Sequence, residues 1–203
     1  VVIRSFPAVH AFDGPVSFRL EWNGLSFVFS SDTFPNKWFN EYGKNADVAV
    51  HECFVTIDDL VNRMNFPVER ALLVGAQVHT PPEAFGKVMS LTQPRMAVAY
   101  HFFNDFDTSA AISEGIRSTY DGPLSMAEDF MVWNVTKDNI RVRMAVVSEE
   151  VWPPPASEAP MPPIPSNRIG YSKGIIGGKL DVADVVQPVY DDINKEYGLK
   201  EKP

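Results

Sequence analysis

Two short apolar runs, "ADVAV" and "MAVAY", are each followed directly by a histidine, His51 in "HECF" and His101 in "HFFND". Runs of this length are too short for a buried helix and suit strands covered on both faces, as at the centre of an α/β sheet. Each histidine then falls at the carboxyl edge of its strand. The stretch "VSFRLEWNGLSFVFSSD" adds a hairpin. Val16, Phe18, Leu20 and Trp22 alternate with Ser17, Arg19 and Glu21, which predicts one buried face, and Asn23-Gly24 supplies the positive φ angles of a two-residue turn. His10 precedes this hairpin and Asp32 ends it. In "VHTPPEAF" a helix start is predicted, with Thr80 as N-cap, Pro81 at the first helical position and Glu83 completing a capping box. His79 therefore stands just ahead of a helix.

The remaining pattern fits the same class. A helix is expected around Ile57 to Met64, and another in "SAAISEGIRSTY", capped by Asp105 and Asp107 and beginning near Thr108. A pair of strands, "FMVWNVT" and "IRVRMAVV", closes the series around the turn-like "KDN". Residues 152–166 hold seven of the 17 prolines, the composition of an extended strap. The expected division is an α/β unit over residues 1–150, a Pro-rich strap over 151–167 and a helical tail over 168–203 that Pro188 should interrupt or kink.

With 203 residues and 45% hydrophobic content, the chain can bury a sizeable core in one domain. A formal net charge of −8 gives no bulk electrostatic reason to bind nucleic acid or an anionic membrane. No apolar run approaches the roughly 20 residues of a membrane-spanning helix, so a soluble chain with no membrane partner is expected. The single cysteine, Cys53, excludes an internal disulfide and a Cys-rich zinc module, so any metal must be held by histidines and carboxylates. It follows an apolar strand and reads as a buried, inert thiol. A reducing compartment, hence a cytoplasmic location, fits this usage, with periplasmic or secreted locations left open.

All four histidines and Asp32 thus fall at strand ends or at a helix start. In α/β architectures the carboxyl edge of the sheet is where loops converge on a ligand. A zinc site needs that convergence, since its imidazole and carboxylate donors stand roughly 2.0 to 2.2 Å from the ion.

Taken in order, His10 in "PAVHAFDGPVSFRLEWNG", Asp32 in "SSDT", His51-Glu52 in "VHECF", His79-Thr80 in "VHTPPEAF" and His101 in "VAYHFFND" resemble the later motifs of the metallo-β-lactamase superfamily. They look most like the ribonuclease Z branch, the tRNA 3′-processing endonucleases, and a class B3-like metallo-β-lactamase of that branch. The resemblance implies an αββα sandwich of which this chain contributes mainly the second half. It implies a binuclear zinc hydrolase, two Zn2+ per complete site, with a metal-bridging hydroxide attacking a phosphodiester or a β-lactam. His10 would hold the first zinc, Asp32 would bridge both, and His101 would hold the second. Glu52 and His79 would be the catalytic pair, the carboxylate orienting the imidazole and favouring its protonated form as a general acid. His51 would support the loop.

Two departures stand out. Ser31 occupies the position before the aspartate where the family usually has glycine, which narrows the backbone options of that turn. The family's His-x-His-x-Asp-His signature is absent, so the chain is expected to be the C-terminal portion of a longer enzyme. It would work as a homodimer or with a missing N-terminal half, on a small-molecule or RNA phosphodiester substrate. A catalytically incomplete half-domain, and another superfamily hydrolase such as a lactonase or an arylsulfatase-like enzyme, are the competing expectations.

Overall fold

The computed structural model describes residues 1–144 and 170–199. Its centre is a six-stranded sheet in the order β1 (Val2–Pro7), β2 (Val16–Trp22), β3 (Leu25–Phe29), β4 (Val48–Glu52), β5 (Met96–Tyr100), β6 (Leu124–Met126). The first three strands are antiparallel and the rest parallel. Asn23 and Gly24, at φ 52° and 73°, form the expected tight turn between β2 and β3.

Each parallel step needs a crossover. The one from β3 to β4 is α1 (Lys37–Gly43), capped by Asn36, whose side-chain oxygen accepts from the Phe39 N–H at 2.8 Å. Between β4 and β5 lie α2 (Ile57–Asn62), α3 (Val68–Leu73), a π-helical turn (Val74–Val78) and α4 (Pro82–Thr92). Between β5 and β6 lies α5 (Phe106–Arg117), which starts two residues ahead of Thr108. Asp105 caps it by accepting from the Thr108 N–H at 2.9 Å, while Asp107 pairs with Arg63. A separate hairpin, β7 (Met131–Val135) with β8 (Ile140–Met144), follows, and the expected strap lies outside the described residues.

Phe6, Ser17, Val28, Ala49 and Ala97 share a sheet face with His51, and α1 packs against it through Phe39, 6.4 Å from Phe6 between ring centroids. The alternation expected of β2 is present, but its burial is reversed. Ser17 is the buried residue, donating to the Ser30 carbonyl at 2.5 Å, whereas Phe18 is 41% and Trp22 54% exposed. Period-2 patterning fixes which residues share a face, and the helices determine which face is covered. On the opposite face the β7–β8 hairpin is tied to β6 by Trp133 Nε1 donating to Ser125 Oγ at 3.2 Å.

The tail folds back onto the helices. After α6 (Lys173–Gly178), α7 (Ala183–Tyr197) runs through Pro188 uninterrupted. The proline removes one backbone donor, and the burial of Val186 and Ile193 on either side offsets that loss. No helix of the described residues is long and apolar enough to cross a membrane.

Candidate functional site

The cluster assembles at the carboxyl edge of the parallel strands. His10 lies in the β1–β2 loop, Asp32 just after β3, Glu52 at the end of β4, His79 between the π turn and α4, and His101 directly after β5. The five side chains meet although up to 91 residues separate them, from His10 to His101. His10 Nε2 lies 3.4 Å from His79 Nε2, and His101 Nε2 lies 3.5 Å from Asp32 Oδ2. The His79 and His101 rings are 5.1 Å apart between centroids. Two donors about 2.1 Å from one tetrahedral ion stand about 3.4 Å apart, so both pairs have the spacing of ligands sharing a zinc.

Glu52 plays a different part. Its donor atoms, with those of His79 and His101, lie within 4.8 Å of one another, a spacing that could hold a metal. Both of its oxygens are already engaged, however. Oε1 accepts from the Thr33 N–H, and Oε2 lies 2.8 Å from His79 Nδ1. A fully buried carboxylate locked on the far nitrogen of an imidazole orients that ring, leaving Nε2 to face the cluster. The Phe54 ring, stacked on His79 at 4.3 Å and 11°, fixes its plane.

Electrostatics correct one expectation. Burial pushes Glu52 well above the usual carboxyl range, against the opposing Thr33 and Thr80 N–H groups, and the Asp32 charge adds to the rise. Burial also drives His79 down to about 4, against the attraction of Asp32. A carboxylate partner was expected to favour protonated His79, but removing both groups from water disfavours two separated charges. Both shifts favour the neutral pair over the ion pair across the 2.8 Å contact. His101 is lowered by burial and by His79, with Asp32 opposing.

His51 stays away from the cluster. It is fully buried against Phe39 and Phe85, and its Nδ1 lies 2.6 Å from the Glu52 carbonyl oxygen. Cys53 is buried as expected, and burial pushes its thiol well up. Thr80 is not the N-cap of α4, a position held by Pro81. Its hydroxyl instead donates to the Thr33 carbonyl at 2.6 Å.

Of the backbone of this site and its supports, only the Ser31 turn is legible in the sequence. Ser31 adopts φ 56° and His101 φ 79°, both left-handed, flanking the cluster on two sides. At Ser31 this is the conformation that glycine reaches without strain, and the Ser31 hydroxyl donates to the Val16 carbonyl at 2.7 Å. The tail also reaches the loops that carry His10 and Asp32. Asp13, three residues past His10, accepts from the Ser172 N–H at 3.3 Å, and Lys179 stands 5.1 Å over the Phe34 ring.

The chain matches no protein-family model and no curated protein. Among solved structures it is similar to the metallo-β-lactamase fold protein YhfI from Bacillus subtilis, at 15% identity and a TM-score of 0.47, over 62% of this chain and 46% of that one. It is similar to human tRNase Z, short form, at 16% identity and a TM-score of 0.42, over 64% of this chain and 40% of that one. A long form RNase Z from yeast matches at 24% identity and a TM-score of 0.37, over 51% of this chain and 14% of that one. The chain spans less than half the length of each of these three.

Proposed function

We propose that this chain carries the metal-binding and proton-transfer residues of a zinc-dependent hydrolase of the metallo-β-lactamase type. The observation that supports this reading most is the convergence of three imidazoles and a carboxylate from four separate loops, with His101 Nε2 and Asp32 Oδ2 3.5 Å apart, the spacing of donors that share a zinc. His10, Asp32 and His101 are the metal-holding residues, part of a two-zinc set. Zinc bound there would supply Lewis acidity and a water acidified to near neutral pH.

The chain's own contribution is proton transfer. The neutral Glu52–His79 pair holds the same number of protons as a carboxylate beside an imidazolium. His79 can give its Nε2 proton to a leaving oxygen or nitrogen while Nδ1 takes the Glu52 proton, leaving a carboxylate behind. The substrate class proposed is a phosphodiester, as in tRNA 3′ processing, or a β-lactam. Zinc-loaded protein should cleave a chromogenic phosphodiester or a chromogenic cephalosporin. Glu52→Gln should lower turnover by about 100-fold or more while zinc content stays unchanged. Loss of zinc in His79→Gln would reassign His79 as a ligand, and unchanged turnover in Glu52→Gln would end the proton-transfer reading.

A second reading is favoured by one observation. Ile3, Val16, Phe18, Trp22 and Phe29 lie on one sheet face and are 40–63% exposed. A contiguous apolar sheet face of this kind suits a further protein layer. In this reading the chain alone is an incomplete half-domain, and activity requires a second copy or the other half of a longer polypeptide.

A further inference from the structure

The geometry points to Thr33 as the positioning residue that holds four of the five cluster side chains in register. This rests on the metal-centre reading above for its consequence, but not for its geometry. Thr33 is fully buried, and each of its polar atoms engages a different segment of the site. Its N–H donates to Glu52 Oε1. Its carbonyl accepts from the Thr80 hydroxyl at 2.6 Å, next to His79. Its hydroxyl oxygen accepts from the Val9 N–H at 2.8 Å, next to His10, and from the Asn36 side-chain amide at 3.1 Å. Asp32 is its own chain neighbour. The loops interlock once more where the Phe34 N–H donates to the Val9 carbonyl at 2.7 Å.

None of these partners is local in sequence except Asn36, so the bonds tie together segments that the sheet alone does not align. The two strands β1 and β3 are not hydrogen-bonded neighbours, because β2 lies between them. The spacing between the His10 loop and the Asp32 loop is therefore set beyond the sheet edge, by the Val9–Thr33 and Val9–Phe34 contacts. On the other side, the Thr33 N–H and carbonyl clamp Glu52 and the Thr80 hydroxyl, and with them the ring orientation of His79. Removing the Thr33 hydroxyl strands a buried Val9 N–H, whose cost is relieved by shifting the loop. Loss of such outer-shell support lowers metal affinity by about 10 to 100-fold.

The test compares Thr33→Val, which keeps the shape without the hydroxyl, with Thr33→Ser, which keeps the hydroxyl. Two properties are read in the full chain: Co2+ affinity, and the signal of the proton held in the Glu52–His79 contact in protein labelled with nitrogen-15 histidine. Thr33→Val should weaken Co2+ binding by about tenfold or more and lose the His79 signal to solvent exchange, while Thr33→Ser stays near the parent in both. Parent-like binding and signal in Thr33→Val would overturn the assignment. So would equal impairment in both variants, since the methyl group and not the hydroxyl would then matter. If the parent chain binds no Co2+, the metal reading fails and the His79 signal alone decides the role of Thr33. Should Thr33→Val not fold, Thr80→Val against Thr80→Ser applies the same comparison to the carbonyl side, with loss of the His79 signal expected only in Thr80→Val.

Discussion

His51 should make the fold acid-sensitive, by an amount that follows from its burial. The ring is fully buried between Phe39 and Phe85, and its Nε2 has no hydrogen-bond partner among the described residues. Burial lowers its pKa from 6.5 to about 4, with the contact to the Glu52 carbonyl opposing. Because the folded value is depressed, the unfolded chain takes up the proton first. Stability is then full above 6.5 and is lost as pH falls toward 4. The full loss is about 3 kcal/mol, of which about 2 kcal/mol falls between pH 7 and pH 5. Urea unfolding of metal-free protein, followed by tryptophan fluorescence, gives this directly when the parent is compared with His51→Asn. The variant should be less stable at pH 7, and its deficit should shrink by about 2 kcal/mol at pH 5, with His79 cancelling in the difference. A deficit that stays constant over that range would refute the reasoning, since His51 would then titrate alike in both states.

Two further outcomes test the packing. A Cβ at Gly178 would sit 1.9 Å from the Trp38 indole, so Gly178→Val should cost about 1 to 3 kcal/mol in urea unfolding; a neutral effect would show that the tail is not seated there. The exposed apolar sheet face should bind a hydrophobic dye or drive self-association. Phe18→Lys should reduce either signal without lowering stability, and an unchanged signal would locate the exposed surface elsewhere.

Much of the scaffold was legible because its signals are local. The Asn23-Gly24 turn, the two apolar strands that lead to Glu52 and to His101, and the Asp105 cap each follow from a few adjacent residues. What the pattern could not supply was the side of the sheet that other elements cover, and so the burial expected of Phe18 and Trp22 came out reversed. Thr80 shows how a local signal loses to a distant one: "HTPP" offers an N-cap, but the hydroxyl finds the Thr33 carbonyl 47 residues away. Thr33 itself carried no signal, since most of its partners are assembled only by the fold. The protonation of His79 was misjudged for a related reason. The carboxylate partner is visible in the motif order, whereas the burial that neutralises the pair is not. The left-handed backbone at His101 likewise arises from the turn out of β5.

The central claim is that the cluster at the sheet edge holds metal, and zinc content per chain after dialysis tests it most directly. The account predicts zinc retained by the parent chain and lost in both Asp32→Ala and His101→Ala while the fold persists. A chain that retains no zinc, or that retains the same amount in both variants, would contradict the account.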